Sequence, residues 1–289
     1  MLLGFDEYQE QGKRLAEFLG ISFSLIDVHY FPDDECKVTL PQSLSEHVVF
    51  CRSMDHPNHK LVELLLAAKT ARELGAKKLT LVTPYLCYMR QDKEFNPGES
   101  ISQRIVGQML AELFDNVITV DPHLHRTHHF RDAVPAKQAI ALSSTLLIRQ
   151  FLTSKPDAIL LGPDSESEQW IHSIAEGTDM VSCVATKQRL GDREIKITLP
   201  DIDMTDKNIV VVDDVVSSGE TIAIAAQQCY GKGANRVDVL VVHPLFAEGA
   251  VERLQQSRVE EIWSTDSITH ASNCINLSEL LGNAVTMLV

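Results

Sequence analysis

The apolar run Ile209-Val210-Val211-Val212 passes into two carboxylates, Asp213 and Asp214, and then into the hydroxyl-rich turn Ser217-Ser218-Gly219-Glu220-Thr221. A strand that delivers such a turn to the start of a helix offers backbone N–H groups and a positive dipole end, which is the chemistry of a phosphate cradle. Ser217, Ser218 and Thr221 add hydroxyl donors around the single Gly219. The carboxylates repel phosphate. They suit sugar hydroxyls and, directly or through water, Mg²⁺. A bare Ser-Ser-Gly is most simply a strand-to-helix turn with a serine cap, but paired acids after a β-branched run favour a binding loop.

Other chemistry-bearing clusters also follow apolar runs. After Leu79–Val82 comes Pro84-Tyr85-Leu86-Cys87-Tyr88-Met89-Arg90-Gln91-Asp92-Lys93. Arg90 and Lys93 supply fixed positive charge, while Gln91 and Asp92 supply hydrogen-bonding groups. Outside a strand's carboxyl end this set fits a triphosphate and its metal; a solvated charged loop has the same composition. Val117–Val120 leads into Asp121-Pro122-His123-Leu124-His125, with His128 and His129 close behind. An HxH after a strand also occurs in metal-dependent hydrolases, a reading that needs more ligands at later strand ends, with His243 as one on offer. Gly162-Pro163-Asp164-Ser165-Glu166-Ser167 follows Ala158–Leu161, and Asp164 or Ser165 is the expected N-cap of the next helix. Lys187-Gln188-Arg189 precedes Gly191-Asp192. Phe31-Pro32-Asp33-Asp34-Glu35-Cys36 reads on its own as a β-hairpin turn.

These loops need strands and helices to position them. Short apolar strands are expected at Val48–Cys51, Leu79–Val82, Val117–Val120, Ala158–Leu161, Met180–Val184, Ile209–Val212 and Val237–Val242. Leu61, Leu64, Leu65, Ala68 and Ala71 recur at helical spacing. Further helices are expected over 102–113, 143–151, 166–174 and 221–230. Strand–helix alternation along the whole chain implies an α/β architecture with mainly parallel sheets flanked by helices. With 289 residues, 44% of them apolar and only 6% aromatic, the core rests on Leu, Ile, Val and Ala, as suits a parallel sheet covered on both faces. The two halves share one grammar, which places a boundary near 141–145 and domains at 1–142 and 143–289.

A net charge of −14 opposes binding to nucleic acid. The six cysteines form no CxxC pair and read as free thiols in a reducing compartment. Asp6 and Glu7 interrupt any signal-peptide core, and no apolar run spans a bilayer. The expectation is a cytoplasmic protein with no membrane partner.

In combination, these motifs resemble those of the ribose-phosphate diphosphokinases. Pro-Tyr-x-x-Tyr-x-Arg-Gln-Asp at 84–92 is similar to that family's signature, and phosphoribosyltransferases, which share the phosphate-loop type at 209–221, lack it. The resemblance implies two tandem phosphoribosyltransferase-type domains related by duplication, with ATP and Mg²⁺ between them. It implies an ATP-binding N-terminal half in which Phe31, Asp33 and Glu35 hold adenine in a neighbouring subunit, so that a homo-oligomer shares the site. Arg90, Gln91, Asp92 and His123 then serve ATP, and His123 and Asp164 its metal. In the C-terminal half it implies that Asp213, Asp214, Ser217, Ser218, Gly219 and Thr221 hold ribose 5-phosphate, while Lys187 and Arg189 act in catalysis. The family's Ser and Gly at the adenine loop are Pro32 and Asp34 here, and its Gly-Gly after the Asp-x pair is Glu166-Ser167. The alternatives are a catalytically weak regulatory homologue and a phosphoribosyltransferase. The tail beyond Phe246 offers no functional signal of its own.

Overall fold

The computed structural model describes residues 1–94, 96–124, 126–155, 157–189 and 195–288, with backbone alone at 166, 169, 187–189, 195 and 196. The chain forms two units. The first comprises Met1–Leu142, Ser267–Thr269 and Leu277–Val289, and the second Ser143–Asp266 and His270–Asn276.

The first unit runs β1 (Leu2–Gly4), α1 (Gln9–Leu19), β2 (Phe23–Leu25), the hairpin β3 (Asp27–Tyr30) and β4 (Cys36–Thr39), β5 (His47–Cys51), α2 (Pro57–Glu73), β6 (Lys78–Val82), α3 (Ser102–Leu113), β7 (Asn116–Val120), α4 (Phe130–Ala133) and β8 (Gln138–Leu142). The second runs α5 (Thr145–Leu152), β9 (Ala158–Gly162), α6 (Glu168–Ala175), β10 (Ser182–Val184), the hairpin β11 (Thr186–Arg189) and β12 (Ile195–Thr198), β13 (Asn208–Val216), α7 (Glu220–Gly231), β14 (Arg236–Pro244), α8 (Ala250–Gln256), β15 (Ile262–Thr265) and β16 (Asn273–Ile275). Each unit holds one six-stranded parallel sheet, in the orders β2-β1-β5-β6-β7-β8 and β10-β9-β13-β14-β15-β16. The strand order is the same in both. In both, the hairpin follows the strand that lies outside the first.

Helices cover both faces of these sheets, so central strands are apolar without alternation. Leu2, Val48, Phe50, Leu79, Leu81, Val117 and Ile118 lie at 0% exposure in the first sheet, and Val211, Val212, Val237, Val239 and Val241 do so in the second. The seven expected strands recur with altered lengths, and β1, β2, β8, β15 and β16 join the sheets beside them. β13 continues through Asp213 and Asp214 to Val216, in register with Val241 to Pro244 of β14. The paired acids therefore belong to the strand rather than follow it.

The expected second domain, 143–289, differs from the observed division at its tail. The last helix, α9 (Ser278–Thr286), packs against α1, β7 and β8 of the first unit. Leu281, Ala284 and Val285 are its buried face, and a Cβ on Gly282 would stand 2.2 Å from Phe18 Cδ1. An amphipathic helix settles where its apolar stripe finds an uncovered surface, whatever its position in the chain.

At the amino ends of the first sheet's strands, Asp115 accepts from Arg72 Nη2 at 2.6 Å, Lys137 Nζ at 2.6 Å and the Leu79 N–H at 2.9 Å. Burial pushes its carboxyl up, but these three donors outweigh it and hold the pKa at about 2, below the ordinary 3.8. The stabilisation is therefore complete above pH 3.8 and is lost as the pH falls through about 2. Asp115→Asn is expected to lower stability by about 2 kcal/mol at neutral pH. In urea unfolding, the gap to wild type should close toward pH 2.

Candidate active site

Parallel strands bring all their carboxyl ends to one edge of the sheet, and ligands bind where the order reverses direction. In the second unit that reversal lies between β9 and β13. Two loops flank it: Pro163–Ser167 after β9, and Ser217–Gly219 between β13 and α7. Asp213 and Asp214 are half-buried on the last part of β13. Asp213 Oδ1 accepts the N–H of Asp214 at 3.0 Å, and Asp214 Oδ1 accepts that of Val215 at 2.7 Å. Gly219, at φ +72°, caps α7, and Glu220 is an exposed first-turn acid on that helix. The N–H groups of Ser217, Ser218 and Gly219 take no backbone carbonyl among the described residues.

The loop after β9 differs from its expected form. A 3₁₀ turn, Ser165–Ser167, intervenes before α6, whose N-cap position is Ser167 rather than Asp164 or Ser165. Instead the Asp164 carbonyl accepts the Ser167 N–H at 3.2 Å and the Ser167 hydroxyl at 2.6 Å. Gly162 is required here, since a Cβ would stand 2.2 Å from Ser167 Oγ. Lys187 and Arg189 lie on β11, paired across the hairpin with Ile197 and Ile195. Gly191 and Asp192 fall outside the described residues.

In the first unit the loop after β6 starts buried and ends exposed. Leu86, Cys87 and Met89 are buried, while Arg90, Gln91 and Lys93 reach solvent. Tyr88 sits at φ +62° and donates to Asn58 Oδ1 at 2.6 Å. Asp92 is gripped by Arg126 Nη1 at 2.8 and 3.1 Å. Gln103 of α3 donates to the Met89 carbonyl at 3.0 Å and accepts from Thr127 at 2.9 Å. Arg126 and Thr127 come from the loop after β7, which neighbours β6. That loop also carries His123, half-buried three residues beyond the strand. The structure thus brings Arg90, Gln91, Asp92 and the His123 loop to one strand-end cluster. Arg126 and Gln103, which tie it together, carry no recognisable sequence signal. His125 lies outside the described residues. No three described His, Cys, Asp or Glu residues form a group that holds a metal.

Phe31, Asp33 and Glu35 occupy the hairpin tip. The Asp34 N–H donates to the Phe31 carbonyl at 3.0 Å, and the Phe31 N–H donates to that of Glu35 at 2.8 Å. Asp34 sits at φ +73°. This is a three-residue loop in which Pro32 takes the position that favours its fixed φ and Asp34 the left-handed position usual for Gly. Both departures from the resembled loop therefore suit its backbone. Phe31 remains 43% exposed.

Tyr30, at the hairpin's base, donates its hydroxyl to Glu63 of α2. Glu63 in turn pairs with Arg52 at 2.5 Å. Arg52 also donates to Glu7 at 2.6 Å and lies 3.7 Å over the Phe5 ring. Arg52 follows β5, and Phe5 and Glu7 follow β1, so this network lines the first unit's own strand-order reversal. A cavity of about 750 Å³ opens beside it.

Residues 1–113 match the family model described as the N-terminal domain of ribose phosphate pyrophosphokinase, and residues 180–289 match a phosphoribosyl synthetase-associated domain. The chain is 30% identical to the ribose-phosphate pyrophosphokinase of Methanopyrus kandleri over 289 residues, 99% of this chain and 98% of that one. The chain belongs to the ribose-phosphate pyrophosphokinase family. The enzyme of that name from Saccharolobus solfataricus is 33% identical over 261 residues, 88% of each chain. The phosphoribosylpyrophosphate synthetase structure from Mycobacterium smegmatis shares the fold, with a TM-score of 0.84 at 22% identity over 100% of this chain and 98% of that one. As a member of the family the chain is a transferase of α/β fold, and the resemblance of its motifs to the pyrophosphokinases is upheld against the metal-hydrolase reading of His123 and His125.

Burial first, and then the Glu63 carboxylate, push the Tyr30 phenol up to about 12. Its contribution to the hairpin's anchorage is complete below pH 10 and lost as the pH rises through about 12. Ultraviolet titration should show a late-ionising step for Tyr30 that is lost in Tyr30→Phe. A wild-type curve with no late step would remove this anchor.

Proposed function

We propose that this protein transfers a diphosphoryl group from ATP to the C1 hydroxyl of ribose 5-phosphate, giving AMP and 5-phosphoribosyl 1-diphosphate. The observation that carries the reading is the turn at 217–219, whose open N–H groups stand beside two half-buried carboxylates at the second unit's strand reversal. That pairing suits one ligand bearing both a phosphate and vicinal hydroxyls. In this reading Ser217, Ser218, Gly219 and Thr221 hold the 5-phosphate at the start of α7, and Asp213 and Asp214 take the ribose hydroxyls.

Arg90, Gln91, Asp92 and His123 are assigned to the triphosphate. Arg90 is exposed and reaches a ligand as a planar donor, whereas Asp92 is held by Arg126. Phe31, Asp33 and Glu35 are assigned to adenine, with Phe31 supplying a stacking face and the acids reading its amino edge. An exposed aromatic on a projecting hairpin suits service to a neighbouring subunit, and we assign the protein to a homo-oligomer on that ground. Among the described residues no helix is long and apolar enough to cross a membrane.

Mg²⁺ is assigned to the site. An ion carried on phosphate oxygens keeps several waters and asks the protein for one or two ligands, not a closed cage; Asp164 and His123 are the groups assigned to it. When bound, it neutralises negative charge on the phosphate oxygens.

The ribose O1 attacks the β-phosphorus in line. The O1–P bond forms, the bond from that phosphorus to the α,β-bridging oxygen breaks, its electron pair leaves on AMP, and the hydroxyl proton passes to water. Little covalent work falls to the protein, so catalysis is positioning and charge stabilisation. Lys187 and Arg189 are assigned to the charge that grows on the β-phosphoryl oxygens.

Phosphorus NMR of the protein with ATP, Mg²⁺ and ribose 5-phosphate tests the reaction. AMP with a new diphosphate ester is expected. ADP would mean simple phosphoryl transfer, and no change would favour a regulatory homologue. Lys187→Ala is expected to lower kcat on the order of 100-fold or more with an unchanged circular-dichroism spectrum. Turnover near wild type would remove Lys187 from the chemistry.

A further inference from the structure

The phosphate turn is held from behind by the segment that follows β14. The N–H of Phe246 donates to the Val216 carbonyl at 2.9 Å, and that of Ala247 donates to the Ser217 carbonyl at 2.9 Å. The guanidinium of Arg253, on α8, donates through Nη1 to the Ser218 carbonyl. Three successive carbonyls, 216 to 218, are thus drawn to the same supporting segment.

A trans peptide unit is planar, so its C=O and its N–H point in opposite directions. Fixing the carbonyls of Val216, Ser217 and Ser218 therefore turns the N–H groups of Ser217, Ser218 and Gly219 the other way. These are the N–H groups without a backbone carbonyl partner among the described residues. Gly219 completes the fit. A Cβ there would stand 3.3 Å from the Ala250 carbonyl oxygen, and its φ of +72° is costly for any other residue.

We propose that Arg253 is a positioning residue of the ribose 5-phosphate site, acting through the Ser218 carbonyl to aim the Gly219 N–H at the phosphate before the ligand arrives. The inference rests on the ribose 5-phosphate reading given above. Two of the three carbonyls are held by backbone and are beyond the reach of substitution, whereas the third depends on one side chain. Arg253 itself is exposed, and α8 is anchored independently by buried Ala250 and Leu254. Removing the guanidinium therefore frees the turn without releasing the helix. Preorganised donors lose affinity when they must be ordered by the ligand itself.

The test compares wild type with Arg253→Met, which keeps length but removes the donors, and Arg253→Lys, which restores one donor. In Arg253→Met the KM for ribose 5-phosphate is expected to rise about tenfold, the scale of one charge-assisted hydrogen bond. The KM for ATP, the kcat at saturation and the Tm should hold, and Arg253→Lys should recover part of the loss. Calorimetric binding of ribose 5-phosphate without ATP should weaken in parallel. A KM that rises equally for both substrates, or that follows a fall in Tm, overturns the assignment. Product formation by wild type with an unchanged KM in Arg253→Met overturns the positioning role alone. Arg253-dependent binding of ribose 5-phosphate by a wild type that makes no product would instead overturn the reaction and leave the role standing. Absence of binding in wild type overturns both.

Discussion

Strand polarity is the constraint on which the rest of this molecule depends. A parallel sheet sends every strand's carboxyl end to one edge, and each strand there must give way to a loop before its crossover helix. Where successive strands move off in opposite directions, the two loops diverge and leave a crevice. The second unit puts its 217–219 turn and the Asp164 loop on the two sides of that crevice. Apolar strands with no alternation, such as Ile209–Val212, make the scaffold stiff enough to hold such loops, because both faces of the sheet are buried.

The same strand order occurs in both units, and so does the position of the hairpin. β3-β4 carries Phe31, Asp33 and Glu35, while β11-β12 carries Lys187 and Arg189. Two groups assigned to different ends of one nucleotide thus stand on equivalent outgrowths of a repeated unit. A hairpin beyond the outer strand lacks neighbours on the sheet, so its position must be set by side-chain anchors. Tyr30, Glu63 and Arg52 form such an anchor in the first unit.

What the sequence revealed follows from this arrangement. Runs such as Val48–Cys51, Leu79–Val82 and Val117–Val120 were legible because burial on both faces leaves only apolar residues. The loops at 88–93 and 213–221 stood out because charged and hydroxyl-bearing residues crowd together directly after apolar runs. β1, β2 and β16 were not legible, since each spans only three residues and none forms a pattern. The continuation of β13 through Asp213 and Asp214 was hidden because carboxylates are poor strand formers away from a site. The residues that steady the loops were illegible for another reason. Arg52 finds Glu7 at a separation of 45 residues, Arg126 finds Asp92 at 34, and Arg253 finds Ser218 at 35. Such pairings exist only once the fold has formed. The tail beyond Phe246, silent as sequence, supplies both Arg253 and the helix α9.

The two strand reversals solve the same topological problem in opposite ways. In the second unit the N–H groups of the turn after β13 take no backbone carbonyl among the described residues. In the first, the equivalent position after β5 carries Arg52, and the anions it takes are the protein's own Glu7 and Glu63. With its guanidinium paired to both and stacked on Phe5, Arg52 has its strong donors committed. Buried ion pairs of this kind add little net stability, because desolvation offsets the attraction, but they fix geometry once all partners are satisfied. Here the geometry fixed is that of α2 and, through Tyr30, of the β3-β4 hairpin. The first unit therefore lines its crevice with its own charges, and the resulting rigidity sets the hairpin.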